Sequence, residues 1–264
     1  MTKRMPLAQA MQTIPDGALL GLGGNTLNRA PMAAVFELAR QKKRGLRLVK
    51  TAGGMEVDLL CFAGCVQSVD AGFISYETEY SLCQHYRKAV QSGEVVAHEH
   101  ACYTVISALR AASYGIPFMP VRGLQVSDLV AANDYFAPVT DPFTGETLNA
   151  VRAIRPDVCV VHAQVADEHG NALLEGPKYD DVLLSRASKT TIVTAERIVG
   201  PEYFAASPIK ADIPHFLVSA VVYAPRGAAP GACHGLYGVK DEDLRSFLNL
   251  TDAATLPAWL ERRA

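Results

Sequence analysis

The chain has 264 residues, a hydrophobic fraction of 49% and a formal net charge of -2. This length suits one large α/β domain or two small ones, and the composition is that of a globular protein. The near-neutral charge excludes a general attraction to nucleic acid or to an anionic membrane surface. No apolar stretch reaches the ~20 residues of a membrane-spanning helix, and the N-terminus lacks the apolar run of a signal peptide. We therefore expect a cytoplasmic protein.

The six cysteines lie mostly inside apolar segments and show no metal-type spacing. They predict small core residues in a reducing compartment rather than disulfides or a zinc site. The triplet His98-Glu99-His100 resembles a metal signature only superficially, because two histidines at i and i+2 share a face only on a strand. The sequence thus predicts no metal site.

Strand and helix signals alternate through the first half of the chain. Pro31 in a first turn and Gly45 after a last turn delimit one clear helix. The predicted strands are Ala18–Gly24, Leu46–Thr51 and Ser68–Ile74, and the predicted helices are Pro31–Arg44, Val57–Ala63, Glu79–Ser92 and Ala101–Tyr114.

The second half continues the pattern after an extended segment at Ile116–Val121 and a Pro/Gly-rich hairpin or surface loop at Ala137–Glu146. A near-continuous apolar run from Asp157 predicts a strand buried on both faces, as in a parallel sheet, followed by a polar turn at Asp167–Asn171. Further predicted elements are strands at Lys189–Ala195 and Phe216–Tyr223 and a short polar helical tail at about 241–264. This alternation predicts one α/β domain over 1–264, a doubly wound, mostly parallel open sheet with helices on both faces.

The first candidate site is the glycine-rich loop Gly21–Pro31 after the first predicted strand. Glycines there would let the backbone N–H groups of Gly23, Gly24 and Asn25 approach a ligand with no side chain between. The loop is neither a dinucleotide fingerprint nor a phosphate-binding P-loop. A tight strand-to-helix turn explains the pattern equally well, so both interpretations stay open.

Other candidates have an ordinary structural alternative. The carboxylates of Ser75-Tyr76-Glu77-Thr78-Glu79 would serve as acid/base groups or as first-turn helix acids. Glu99, just before a predicted helix, would be a helix-start acid or a site carboxylate. Arg122 after the extended segment would bind a carboxylate or phosphate, or simply be solvated.

Taken together, these segments resemble the family I CoA-transferases, above all the α subunits of the glutaconate CoA-transferase type. The resemblance runs over roughly Met5 to Tyr237. The order and spacing of the following segments carry it: Gly23-Gly24 with Arg29–Ala34, Tyr86–Glu94, Gly115–Arg122, Asp141–Glu146, Arg155–Ala172, Thr190–Glu196 and Ala224–Cys233.

The resemblance implies an α and a β subunit, two similar α/β domains with the active site between them. It also implies that a β-subunit glutamate attacks the acyl-CoA carbonyl, that a glutamyl-CoA thioester follows, and that a carboxylate acceptor then takes the CoA. This chain would lack the nucleophile, shape the walls of the site, and need no cofactor besides the CoA thioester substrate. A large apolar interface with the β subunit, of order 2,000 Å², is expected.

Substrate contacts are expected from six residues of this chain. One oxyanion-type donor contributes ~3–4 kcal/mol in a transition state, against ~1 kcal/mol or less for an exposed ion pair, which favours the glycine loop. Asn25-Thr26-Leu27 replaces the Phe-Gly pair common in relatives, which makes a different acyl group plausible. The expected contacts are Gly23, Gly24, Asn25, Ser75, Tyr76 and Arg122.

Two alternatives stay open. A related α subunit belongs to a hydrolase that opens a ring in a cyclic CoA thioester during steroid degradation, and there an α-subunit glutamate does the chemistry. Glu99, 18 residues before Pro117, is the matching position in this sequence. The other alternative, from a different class, is a non-catalytic ligand-binding domain on the same general fold.

Overall fold

Residues 2–132, 134–205 and 211–263 are described by a computed structural model. The strands are β1 (Leu19–Leu22), β2 (Leu46–Gly53), β3 (Val66–Ile74), β4 (Val96–Glu99), β5 (Phe118–Val121), β6 (Phe136–Thr140), β7 (Thr147–Arg152), β8 (Val158–Asp167), β9 (Ala172–Leu173), β10 (Thr190–Val199) and β11 (Val218–Tyr223). The helices are α1 (Leu7–Gln12), α2 (Met32–Arg40), α3 (Met55–Phe62), α4 (Glu77–Tyr80), α5 (Gln84–Ser92), α6 (Cys102–Tyr114), α7 (Leu129–Ala132), α8 (Asp181–Ala187), α9 (Glu202–Ala205), α10 (Asp241–Leu248) and α11 (Leu256–Glu261).

The main sheet has the strand order β11-β10-β8-β1-β2-β3-β4, and neighbouring strands along this path are parallel. The short strand β9 pairs antiparallel with β8. β8 lies inside the sheet and all of its residues are buried, which is why its sequence is a near-continuous apolar run. The predicted doubly wound, mostly parallel α/β fold is confirmed.

Helices cover both faces of this sheet and enclose one hydrophobic cluster on each. On one face, α1, α2, α3, α10 and α11 bury a cluster that includes Leu38, Leu59 and Phe247. On the other face, α6 and α8 bury a cluster that includes Leu109, Val161 and Leu184. The first four side chains of β8, Val158–Val161, alternate between the two clusters, as the two-residue period of a strand requires.

A second, smaller sheet has the order β5-β7-β6 and is antiparallel throughout. Of the hairpin and the surface loop that the sequence leaves open for Ala137–Glu146, the structure has the hairpin, since β6 and β7 flank the loop Asp141–Glu146. The extended segment that begins at Ile116 becomes β5, which joins this small sheet rather than the main one. The alternation of strands and helices contained no signal for this second sheet.

One predicted helix is divided in the structure. The segment predicted as a single helix over Glu79–Ser92 forms α4 and α5, because Ser81 between them has a left-handed φ of 68°. No glycine or proline marks this break, so no local signal in the chain predicts it.

The C-terminal segment is helical as predicted. Although its composition is polar, its apolar side chains pack into the core. Its apolar side chains Phe247 and Trp259 are buried, and the Trp259 ring meets Phe36 of α2 edge-on with 5.6 Å between ring centroids. The two helices of this segment are amphipathic and bury one face, and a mean polarity taken over all residues does not show this. Ala264, the last residue of the predicted tail, lies outside the described residues.

All six cysteines are free thiols, and five of them are buried, as expected for small core residues. None of the helices in the described part of the chain has the length and apolar character needed to span a bilayer.

Candidate active site

The glycine turn, defined here as Gly23–Asn28, follows β1 at the carboxyl edge of the main sheet. The N–H of Gly23 donates to a β8 carbonyl at 2.9 Å, and that of Gly24 to Asp181 Oδ1 at 2.6 Å. The N–H of Asn25 donates to the Asn28 carbonyl at 2.8 Å. All three backbone donors are therefore satisfied within the protein. The expectation that they bind substrate as oxyanion-type donors is not supported by this geometry.

Gly23 and Gly24 are buried, and close packing requires both to be glycine. Gly24 has a φ of 76°, and a Cβ built on it would lie 2.5 Å from the backbone nitrogen of Ala30. A Cβ on Gly23 would lie 2.6 Å from Asp181 Oδ1. The glycines thus form a tight strand-to-helix turn, the structural one of the two interpretations that the sequence left open.

A buried cation holds the carbonyl groups of the same turn. Lys50 Nζ lies 3.0 Å from the Leu22 carbonyl oxygen, 2.5 Å from that of Gly23 and 2.6 Å from that of Gly24. The Lys50 ammonium is also 3.5 Å from Glu56 Oε1, and both side chains are almost completely buried. Burial raises the pKa of Glu56, and the charge of Lys50 opposes that rise. The turn is therefore rigidly connected to β2 and α3.

A buried ion pair connects the end of the turn to α8. Arg29 Nη2 lies 2.7 Å from Asp181 Oδ2, and Arg29 Nη1 donates to the Glu175 carbonyl at 3.1 Å. Asp181 is fully buried, and burial raises the pKa of its carboxyl although Arg29 opposes the rise. Since Asp181 also accepts from Gly24, one carboxylate fixes both ends of the turn.

The loops after β1, β2 and β3 meet beside this turn. Thr26 N–H donates to the Ala52 carbonyl at 3.0 Å, and a Cβ on Gly54 would lie 3.3 Å from Thr26 and 3.5 Å from the Ser75 carbonyl. The Asn25 and Ser75 side chains are half-buried here, whereas Asn28 is exposed. The structure thus brings Asn25 and Ser75 to one edge of the sheet, where open α/β sheets bind their ligands.

Tyr76 does not contribute its side chain to this edge. Its ring is 1% exposed, and its hydroxyl donates to Asp58 Oδ2 at 2.9 Å. The neighbouring Ser75 Oγ donates to the Ser81 carbonyl at 3.1 Å and anchors the loop. The geometry corrects the expectation for Tyr76: it packs in the core and holds the β3–α4 loop to α3.

Arg122 also lies apart from the glycine turn. It follows β5 in the small antiparallel sheet, and its Nη2 lies 2.6 Å from Glu146 Oε2. Its side chain is 70% exposed. Arg122 therefore follows a strand of a different sheet, which the strand and helix pattern did not indicate, and its expected contact with substrate stays a prediction.

Glu99 lies on the same edge of the main sheet as the glycine turn. It ends the edge strand β4, is exposed, and is in register with Ala71 of β3, which itself pairs with Lys50 of β2. Three strand spacings separate β4 from β1, a distance of about 14 Å. Glu99 is therefore not in the turn, but a ligand lying along the edge would reach both.

A polar cluster that sequence reasoning did not identify lies at the end of β10. His162 Nε2 is 2.8 Å from Glu196 Oε1, the Tyr237 hydroxyl donates to the same oxygen, and the Arg226 N–H donates to Glu196 Oε2 at 2.6 Å. Burial acts to raise the pKa of Glu196, but the hydrogen bonds from His162 and Tyr237 outweigh it, and the net shift is downward. The signal in the sequence that could have indicated this cluster is His162, a single histidine in a mostly apolar strand.

This cluster also has the spacing of a metal site, since ligand atoms of His162, Glu196 and Cys233 lie within 4.8 Å of one another. The His162 and Glu196 donors are already hydrogen-bonded to each other, however, and burial raises the pKa of the Cys233 thiol to about 12. The cluster is best described as an anchor that fastens the loop after β11 to the sheet.

The chain matches the profile of the family described as Coenzyme A transferase over residues 4–224. The chain belongs to the Coenzyme A transferase family. One of the subunits of glutaconate CoA-transferase from Acidaminococcus fermentans is 33% identical over 94% of this chain and 82% of its own length. A solved structure of that enzyme superimposes with a TM-score of 0.87 at 31% identity, covering 98% of this chain and 93% of the other.

Two further relatives have names from other reaction classes. The cholesterol ring-cleaving hydrolase IpdA subunit of Rhodococcus jostii is 33% identical over 97% of this chain and 89% of its own length. A structure of a variant of the decarboxylase AibA/AibB has a TM-score of 0.89 at 35% identity, covering 99% of this chain and 98% of the other. This chain is thus an enzyme subunit of a family whose members share one fold across several reactions.

Proposed function

We propose that this chain is the α subunit of a heteromeric CoA-transferase that moves CoA between an acyl-CoA and a small dicarboxylic or oxo acid. A β-subunit glutamate attacks the thioester carbonyl and expels the CoA thiolate, giving an acyl-glutamyl anhydride. The thiolate then attacks the glutamyl carbonyl and releases the first carboxylate, which leaves a glutamyl-CoA thioester for the acceptor acid.

The observation that carries the proposal is the rigid glycine turn at the carboxyl edge of the sheet. Its backbone groups are used internally through Lys50 and Asp181, so the turn is a fixed wall rather than a set of catalytic donors. A fixed wall is what an α subunit supplies when the nucleophile arrives on another chain. Preorganised walls position the thioester without reorganisation during the reaction.

Asn25 is the side chain of the turn that we assign to the acyl group. It is half-buried at the edge where the loops after β1, β2 and β3 meet. Its amide donates and accepts hydrogen bonds, which suits a polar acyl chain such as that of a dicarboxylic or oxo acid. Ser75, half-buried on the neighbouring loop, is the second polar contact.

Exposed apolar side chains support a partner chain. Val126 is 98% exposed and Phe143 is 94% exposed, and both lie in the region of the small antiparallel sheet. The relative from Acidaminococcus fermentans is itself named as one subunit of its enzyme, which implies a second. We therefore expect the α chain alone to self-associate in light scattering, and a monodisperse monomer would contradict the expected obligate β-subunit partnership.

We assign the protein to the cytoplasm. The six cysteines remain thiols, which fits a reducing compartment. Fractionation of the native host with an antibody to this chain would test the assignment.

The main test is co-expression with a β-type CoA-transferase subunit from the same genome and an assay of CoA exchange between acyl-CoA and free acids. Borohydride treatment after incubation with acyl-CoA should reduce the glutamyl-CoA thioester on the partner; reduction of a glutamate of this chain instead would contradict the proposal. Asn25→Ala should lower kcat/KM at least about tenfold for the preferred acid. Asn28→Ala, an amide removed from the exposed part of the same turn, is the matched control.

One observation favours a second function, a CoA-thioester ring-opening hydrolase. Glu99 is an exposed carboxylate at the same sheet edge as the glycine turn, and a relative is named as a ring-cleaving hydrolase subunit. In a hydrolase, Glu99→Gln should abolish turnover of a cyclic CoA thioester. In a transferase, CoA exchange should persist within a fewfold of the unmodified enzyme.

A further inference from the structure

A cationic groove lies between the outer end of β11 and the face of α2 that α11 borders. It encloses about 520 Å³, within the range of small-molecule sites. Five basic side chains line it: Arg40, Arg226, Lys240, Arg262 and Arg263. We call this feature the α2 groove; none of the candidate residues at the glycine turn lines it.

The charge in the α2 groove is strongly unbalanced. Among its described lining residues, Asp243 is the single carboxylate, and it lies 2.6 Å from Lys240 Nζ and 2.8 Å from Arg263 Nη2. Glu37 lies 3.6 Å from Arg40 but outside the lining. The whole chain has a formal net charge of -2, so this concentration of positive charge is local. Such a cluster in a concave site attracts anions.

Two of the guanidinium groups are held in place before any ligand binds. Arg263 stacks on the Trp259 ring with its Cζ 3.6 Å from the ring centroid, and its Nε is buried without a hydrogen-bond partner among the described residues. Arg40 Nη2 donates to the Leu260 carbonyl at 2.9 Å. Preorganised, planar guanidinium groups are the usual ligands of phosphate oxygens.

The remaining lining is apolar and aromatic. Leu7, Ala33 and Phe36 form part of the wall, and Tyr223 at the end of β11 is 51% exposed there. An exposed aromatic ring beside a cation cluster suits a base that stacks and phosphates that bind the rim. A simple carboxylic acid would use the cations but not the ring.

We propose that the α2 groove binds an adenine nucleotide diphosphate, either as the nucleotide end of the CoA thioester or as a free nucleotide. The first source rests on the proposed function. Lys240, Asp243, Arg262 and Arg263 lie beyond residue 224, where the family match ends. The groove is thus built largely from a segment that the family match does not include.

The test measures binding of labelled ADP to the assembled enzyme by equilibrium dialysis, together with KM for acyl-CoA. Arg262→Glu reverses one exposed charge of the groove, and Tyr223→Ser removes the exposed ring. Arg186→Glu, an exposed arginine on the opposite face of the sheet, is the matched control. Both groove variants should weaken ADP binding about tenfold or more, and the control should not. Binding should also weaken as ionic strength rises.

The outcomes separate the two sources. A rise in KM for acyl-CoA that parallels the loss of ADP binding assigns the groove to the CoA nucleotide, whereas loss of ADP binding with unchanged KM assigns it to a free nucleotide. No binding of ADP, or equal binding by all variants, overturns the proposal. If CoA exchange continues in that case, the groove inference fails while the proposed transferase function stands.

Discussion

The Lys50 ammonium donates to the Gly24 carbonyl oxygen over 2.6 Å, inside the protein and away from solvent. Lysine side chains are rarely buried completely, and those that are need partners for their charge. Here three carbonyl oxygens and the Glu56 carboxylate surround it. The contact makes the conformation of the glycine turn depend on a residue of the adjacent strand.

Removing this cation should destabilise the fold severely. Lys50→Met leaves the Glu56 carboxyl and three carbonyl groups buried without their donor, and we expect a loss of about 3–5 kcal/mol in the free energy of unfolding. Urea denaturation of the assembled enzyme measures it. The double variant Lys50→Met with Glu56→Gln should recover part of the loss; a single variant within about 1 kcal/mol of the parent would contradict the role given to Lys50.

The two glycines Gly24 and Gly64 provide a matched pair for the steric claim. Both have a left-handed φ, 76° and 68°, but a Cβ on Gly24 meets backbone atoms at 2.5 Å whereas one on Gly64 meets nothing within 4 Å. Gly64→Ala should cost about 1–2 kcal/mol, the conformational penalty alone. Gly24→Ala should cost clearly more or prevent assembly. Equal thermal shifts for the two variants would show that packing is not what requires Gly24.

Tyr76→Phe should separate structure from substrate binding. The change removes the hydroxyl that donates to Asp58, and the lost hydrogen bond to a buried acceptor should cost about 1–3 kcal/mol. Because the ring is 1% exposed, KM for acyl-CoA should change less than about twofold. A large increase in KM with unchanged stability would restore the sequence-based expectation that Tyr76 contacts substrate.

The buried Asp58 predicts a pH dependence of stability. Burial raises the pKa of its carboxyl from 3.8 to about 6, although hydrogen bonds from Tyr86 and Tyr76 oppose the rise. The folded state therefore favours the protonated form. This contribution to the free energy of unfolding is complete below about pH 4 and is lost as the pH rises through 6, a difference of order 3 kcal/mol by pH 7.

Asp58→Asn is neutral at every pH and should remove this dependence. Its free energy of unfolding relative to the parent should rise between about pH 4 and pH 7, and comparison of the two proteins cancels the titration of all other groups. Urea unfolding at several pH values measures the difference. Parallel stability curves for parent and variant would contradict an elevated Asp58 pKa.

Most strands and helices of the main sheet could be predicted because the sequence signals that specify each of them lie within a few residues of one another. The apolar run of β8 and Pro31 before the first turn of α2 each reflect burial or backbone conformation within a few residues, whereas α2 ends at Arg40, four residues before the predicted end. Strand order, the second sheet and the break at Ser81 depend on tertiary packing. A window of sequence does not contain that information.

The candidate site was harder to predict for the same reason. Whether the Gly24 N–H is free for a ligand depends on Asp181, which is 157 residues away in the chain. Likewise, nothing in the sequence around Tyr76 indicates that Asp58, 18 residues earlier, accepts a hydrogen bond from its hydroxyl. The sequence therefore indicates candidate segments, but which of their atoms are free to face a ligand is set by distant partners.

The contact between α2 and α11 has a consequence for how this protein is made. Arg40 and Leu260, which touch across this contact, are separated by 220 residues. At about 5–20 residues per second, a ribosome takes on the order of 10–40 s to synthesise the intervening chain. Throughout that interval Phe36 of α2 lacks the Trp259 ring that it contacts in the folded protein. A nascent chain of this protein should therefore be a long-lived client of ribosome-associated chaperones until α11 emerges.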